Sequence, residues 1–168
     1  EAGDKTITVT PVENAHGEAD IKFWVSDGLL STEAIYTITV TSANDAPVVT
    51  VEKQTTKEDT ALSASASATD ADGDSLTFAK STDPSHGTVV VSANGTFIYT
   101  PTKDYNGEDS FVIAADDGNA DNHVGYATVY ITVKPDGDPP VAGDDSITID
   151  EDVATVIPVF ENDSDPDK

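Results

Sequence analysis

The chain has 168 residues, and its 32 acidic side chains against 8 lysines give a net charge of −24. Such a charge repels phosphate backbones and anionic lipid headgroups, so we expect no nucleic-acid partner and no membrane insertion. There is no cysteine, which excludes disulfides and thiolate metal sites. A small extracellular domain of this composition therefore needs another stabiliser, and bound cations are the candidate.

Seven short β-rich runs follow one another in the central part of the chain, with no helical periodicity. In chain order, predicted strand A begins with Val48–Val51, and strands B to G are Leu62–Ala68, Leu76–Phe78, Val89–Val91, Phe97–Tyr99, Phe111–Ala115 and Val129–Val133. Asn94-Gly95 separates strands D and E and is typical of a tight hairpin turn. The pattern predicts an all-β protein with a seven-stranded Greek-key β-sandwich.

An internal repeat sets the predicted boundaries. Asp70–Asp74 (DADGD) returns 93 residues later as Asp163–Asp167 (DSDPD), and Glu58-Asp59 returns as Glu151-Asp152. Asp27-Gly28 returns after only 90 residues, because three additional residues near 119–122 follow its second copy. Self-similarity at a fixed period indicates a tandem array.

With a repeat of about 93 residues, the chain is predicted to hold three units. Residues 1–44 are the C-terminal half of one repeat, 45–137 are a complete repeat, and 138–168 are the N-terminal part of the next. The chain does not begin with Met, and we interpret it as a segment of a longer protein.

Acidic and amide side chains are predicted to gather at the two ends of the complete repeat. If each strand runs the length of the sandwich, successive loops alternate between its ends. The set expected where the chain enters the repeat is Asn44, Asp45, Asp70, Asp72 and Asp117. The set expected where it leaves is Glu58, Asp104, Asp138, Asp163 and Asp165.

These two sets predict calcium sites. Two carboxylates about 4 Å apart repel by roughly 4 kcal/mol at an effective dielectric of 20, so a gathered group needs a counter-ion. Oxygen donors without His or Cys select Ca²⁺ over zinc or copper. No residue is predicted to be catalytic or to bind an organic cofactor.

Four motifs resemble the bacterial cadherin-like tandem repeats of large RTX-type surface adhesins. They are Asn44–Pro47 (NDAP), Glu58–Thr60 (EDT), Asp70–Asp74 and Asp117-Gly118. The resemblance implies a cadherin-like fold, calcium between consecutive repeats, and an extracellular location on the bacterial surface or in secreted material. Ala46 stands where cadherin linkers carry a second Asn, which implies fewer ions per junction than in animal cadherins.

Two functions are predicted. The first is a calcium-rigidified extender repeat of an adhesin involved in cell adhesion or biofilm formation, with adjacent repeats as partners and homophilic or glycan contacts possible. The alternative is a carbohydrate- or protein-binding sandwich with Trp24, Tyr126 and Tyr130 as contacts. The sequence has no nucleophile elbow, no His-Glu-x-x-His and no phosphate loop, so we predict that it is not an enzyme.

Overall fold

The computed structural model describes residues 6–165, and this part of the chain contains eleven β-strands and no helix. The strands are β1 (Gly17–Ser26), β2 (Ser31–Val40), β3 (Val48–Thr50), β4 (Gln54–Lys57), β5 (Leu62–Ser65), β6 (Ser67–Thr69), β7 (Thr77–Lys80), β8 (Gly87–Val91), β9 (Thr96–Pro101), β10 (Gly107–Asp116) and β11 (Val124–Lys134). The predicted all-β sandwich is confirmed.

The predicted complete repeat, residues 45–137 and hereafter the complete repeat, is built from a four-stranded sheet, a three-stranded sheet and a short strand pair. Their strand orders are β4-β11-β10-β7, β5-β9-β8 and β3-β6. Neighbouring strands are antiparallel except β4, which runs parallel to β11 with Gln54 opposite Ile131.

Predicted strands A and B are each divided in two, which the sequence pattern did not indicate. Strand A becomes β3, which pairs with β6, and β4, which pairs with β11 in the other sheet. Strand B is interrupted at Ala66, whose N–H donates to the carbonyl of Gly95 in the hairpin turn (2.9 Å). The division lets strand A cross from one sheet edge to the other.

The hydrophobic core lies between the two sheets and belongs entirely to the complete repeat. Its most deeply buried side chains are Tyr99, Phe97, Phe111, Ile113, Ile131 and Val129. Strict alternation along β9, β10 and β11 places these residues on the inner faces of the two sheets. Each fully buried side chain of this size contributes about 1.5–3 kcal/mol.

A buried carboxylate completes this core. Asp109 accepts hydrogen bonds from the Tyr99 hydroxyl (2.8 Å) and from the N–H groups of Ser85 (2.9 Å), His86 (3.0 Å) and Ser110 (2.8 Å). Burial alone would raise the pKa of Asp109, but these donors outweigh burial and hold the pKa below its ordinary value. Asp109 thereby fastens the loop between β7 and β8 to the start of β10.

The hairpin of β1 and β2 has the same register as the hairpin of β10 and β11. Gly17 faces Val40 in the first hairpin, and Gly107 faces Val133 in the second. Most side chains of the first hairpin are exposed. Residues 138–165 form no strand, and one bridge joins Val141 to Ser164 there.

Candidate metal centres at the two ends of the complete repeat

The loop after β6 folds back on the carboxylate of its first residue. Asp70 Oδ1 accepts the N–H groups of Asp72 (2.9 Å) and Asp74 (3.2 Å), while Gly73 supplies the positive φ of +82° that the turn requires. As a result, oxygens of Asp70, Asp72 and Asp74 all lie within 4.8 Å of one another. Asp74 was absent from the predicted set.

The second oxygen of Asp70 is the strongest sign that this group suits a cation. Asp70 Oδ2 is buried and accepts no hydrogen bond from the described residues. A buried acceptor without a donor is costly. The neighbouring atoms that could ligate a metal are carboxylate oxygens of Asp72 and Asp74, and calcium prefers oxygen ligands. The residues at this end therefore fit a calcium ion.

Asn44 ties the entering linker to the loop between β10 and β11. Its Nδ2 donates to Asp117 Oδ2 (2.9 Å) and to the carbonyls of Asp121 and Asn122 (3.0 Å each). Its Oδ1 accepts from Asn119 Nδ2 (2.8 Å). The side chain of Asn44 is thus held on both its donor and acceptor atoms by one loop.

The same loop also reaches the carboxylate group. Asn119 Nδ2 donates to Asp74 Oδ2 (2.8 Å), and Asn122 Nδ2 donates to the Asn44 carbonyl (3.1 Å). The backbone N–H of Asp45 donates to Asp72 Oδ2 (2.9 Å). These contacts involve Asn119 and Asn122, at the place where three residues are inserted relative to the preceding repeat. The prediction omitted both asparagines, and their insertion was the available signal.

Asp117 lies at the centre of this arrangement and is 8% exposed. Burial alone would raise its pKa, but hydrogen bonds from Asn44 and Asn119 outweigh burial and keep the pKa below the ordinary value. Asp117 is therefore a carboxylate whose donors are amides. It lies outside the close group of three around Asp70.

Predicted residues Asp104 and Asp138 do meet at the exit end, where Asp59 joins them. Oxygens of these three side chains lie within 4.8 Å of one another. The N–H of Asp104 donates to Asp59 Oδ1 (3.2 Å), and both residues have positive φ, 56° and 55°. Lys103 Nζ contacts both carboxylate oxygens of Asp104 at 2.9 Å, so this group already contains a cationic side chain.

The other predicted exit residues, Glu58, Asp163 and Asp165, are not part of the group of Asp59, Asp104 and Asp138. Glu58 is 3% exposed, and its Oε1 accepts the N–H of Asp136 (2.6 Å) in the exit linker. Asp163 Oδ1 accepts the N–H of Gly143 (2.9 Å). Neither Asp163 nor Asp165 belongs to the group around Asp104. Their role as calcium ligands at this end stays a prediction.

The sequence profile of the bacterial cadherin-like domain family matches residues 44–135, more than half of the chain. The chain belongs to this family. Bacterial cadherin-like domains are extracellular, adhesin-type modules and commonly bind calcium. No curated protein matches the chain. None of the described residues forms a helix long and apolar enough to cross a membrane.

Similar solved structures include two endo-fucoidan hydrolases of glycoside hydrolase family 107. MfFcnA4 is 27% identical over 75% of this chain and 20% of its own, with a TM-score of 0.42. MfFcnA9 is 20% identical over 74% of this chain and 23% of its own, with a TM-score of 0.38. The cadherin-like chain thus spans about a fifth of these enzymes' length. These matches contradict the prediction that it is not an enzyme, which is withdrawn.

Proposed function

We propose that the chain is a calcium-rigidified extender segment of a bacterial surface adhesin of the RTX type, acting in cell adhesion or biofilm formation. In this proposal residues 45–137 are one complete repeat between parts of two others, and its partners are the adjacent repeats. The observation that carries the proposal is the group of Asp70, Asp72 and Asp74, with one buried carboxylate oxygen that lacks a donor.

Calcium at the entry end would be held by Asp70, Asp72 and Asp74, next to the linker that contains Asn44 and Asp45. Such an ion supplies positive charge that offsets the repulsion among the carboxylates. Asp72 also accepts the N–H of Asp45, so the carboxylate group and the linker are already connected. Ordering this group therefore also orders the linker, which is how an ion at this position would stiffen an array.

A pair of thermal melts tests calcium binding. A ligand that binds only the folded state stabilises it by RT ln(1 + [L]/Kd), so about 10 mM calcium with a Kd of about 0.1 mM adds about 2.7 kcal/mol. We expect the Tm to fall by several degrees in EDTA. Asp72→Asn should reduce this response, while Asp83→Asn, on the exposed side chain that pairs with Lys80, should preserve it. An identical melt in calcium and EDTA would refute calcium binding.

Small-angle scattering of the same protein tests rigidity separately. In millimolar calcium we expect a narrow distribution of interatomic distances. In EDTA we expect a broader one, because the carboxylates at the linkers then repel without a counter-ion. Calcium-dependent melting with calcium-independent scattering would retain the ion and exclude the extender mechanism.

A further inference from the structure

The outer face of the four-stranded sheet is uncharged at its centre. Three cross-strand pairs form this face: Ser110 opposite Tyr130, Val112 opposite Thr128, and Ala114 opposite Tyr126. None of these six side chains carries a charge, although the chain as a whole has a net charge of −24. We call these six residues the neutral face.

Two aromatic rings stand on this face. Tyr126 and Tyr130 are 61% and 58% exposed. They lie four residues apart on β11, which separates them by about 13 Å along the strand. The residues opposite them, Ala114 and Ser110, are small, so the faces of both rings are accessible.

A shallow cleft of about 300 Å³ adjoins Tyr130. Its lining residues are Ser85, His86, Glu108, Asp109, Ser110 and Tyr130. The volume accommodates one sugar ring and lies at the lower end of the range for small-molecule pockets. An aromatic wall with hydroxyl and carboxylate groups opposite is the combination that binds a ring with one apolar face and a polar edge.

The walls of the cleft are held in place before any ligand arrives. Asp109 fixes Ser85 and His86 through their N–H groups. The His86 ring stacks on Tyr105 at 4.1 Å between centroids, and the Tyr105 hydroxyl donates to the Glu108 carbonyl (2.7 Å). A preformed cleft loses little conformational entropy on binding.

Charge selects among the possible occupants. The acidity of the whole chain repels anionic polymers, including sulfated or carboxylated glycans. A second copy of this chain is also strongly acidic. An uncharged sugar meets no such repulsion, and its hydroxyl groups can donate to Glu108 and to the serine hydroxyls.

We propose that the cleft and the neutral face together bind a neutral glycan. One pyranose unit occupies the cleft against Tyr130, and the chain of sugars extends along β11 to stack on Tyr126. This surface lies on the side of the sandwich and uses none of the residues that would hold calcium at its ends. The proposal therefore does not depend on the calcium function.

Isothermal titration of the full chain, in calcium, against cellohexaose, xylohexaose, mannohexaose and laminarihexaose tests this proposal, with dextran sulfate as the anionic comparison. We expect saturable binding of at least one neutral hexaose and none of dextran sulfate. Tyr130→Ala and Tyr126→Ala should each weaken binding by at least about tenfold, whereas Tyr130→Phe, which keeps the ring, should stay within about threefold. Tyr36→Ala is the matched control, because Tyr36 is equally exposed (65%) but lies on the first hairpin.

Amide chemical shifts of the unaltered protein provide a second measurement that does not depend on variants folding. On addition of the bound hexaose, the signals of Ser110 and residues 126–130 should move, while those around Ile98 on the opposite sheet stay. The proposal is overturned if no neutral hexaose binds, if only dextran sulfate binds, or if Tyr130→Ala binds as tightly as the unaltered chain.

Discussion

The two ends of the complete repeat both gather three carboxylates, but they manage the resulting repulsion differently. At the entry end the donors to Asp70, Asp72 and Asp74 are neutral, chiefly backbone N–H groups and the Asn119 amide. At the exit end Lys103 contacts Asp104 directly. At the entry end neutral donors leave the negative charge of the three carboxylates for a bound cation to neutralise. At the exit end the Lys103 ammonium group already neutralises part of that charge.

The two linkers also differ in how firmly they are attached to the sandwich. In the entering linker Pro47 is buried, and the side chain of Asn44 is hydrogen-bonded to the β10–β11 loop. The exit linker is attached through Glu58, which accepts the Asp136 N–H, and through the exposed Lys57–Asp136 pair (2.7 Å). Exposed pairs of this kind contribute little, so the entry linker should be the stiffer one.

The largest effect is expected from Gly125→Ala. A Cβ at Gly125 would lie 1.8 Å from the Pro47 carbonyl oxygen, which forces the entry linker away from β11. We expect the free energy of unfolding to fall by about 3 kcal/mol, measured by urea denaturation. Gly137→Ala in the exit linker meets nothing within 4 Å and should change stability by less than about 0.5 kcal/mol. If both variants lost the same free energy of unfolding, the two linkers would not differ in how tightly they are packed.

Asp109→Asn should have the next largest effect and depend on pH. The folded-state pKa of Asp109 lies below its ordinary value of 3.8, so its contribution is complete above about pH 4 and is lost as pH falls through the lower folded value. At pH 7 we expect a loss of about 2 kcal/mol in the free energy of unfolding, because an amide replaces an acceptor of four hydrogen bonds. The loss should shrink in urea titrations near pH 3. A loss independent of pH would assign the effect to packing.

The carboxylates at the two ends should differ in calcium affinity. Asp72→Asn is expected to weaken the tightest calcium-binding step by about tenfold, since it removes a charge from the group without an ammonium partner. Asp104→Asn should weaken that step less than about twofold. Calorimetric titration with calcium measures both. The reverse order would show that the exit end binds the ion more tightly.

The smallest effect is expected from Lys103→Gln, which should tighten calcium binding at the exit end by about two- to threefold. Lys103 competes for Asp104, and its pKa is raised by the hydrogen bond to that carboxylate. Lys57→Gln also removes an exit-end ammonium group but leaves the Asp104 group intact, and it is the matched control. Weaker calcium binding by Lys103→Gln would mean that the lysine organises the group and does not compete.

The strands and the hairpin turn could be predicted because they depend on local patterns of residues. Alternation in residues 111–115 and 129–133 predicted strands F and G, and β10 and β11 confirm both strands. The order of strands and loops was enough to bring Asn44 near Asp117 and Asp104 near Asp138. These expectations follow from periodicity and connectivity, which a chain carries in its order of residues.

The contacts that hold each end could not be predicted, because they join residues that are far apart in the sequence. The Asn44 side chain meets the Asn122 carbonyl across 78 positions of sequence, and no local signal couples two such residues. The places of Asp59 and Lys103 beside Asp104, and the approach of Pro47 to Gly125, likewise follow from backbone paths in three dimensions. The acidic residues in the sequence are enough to predict that carboxylates repel one another. Which groups lie beside them and reduce that repulsion depends on the packing of the folded chain.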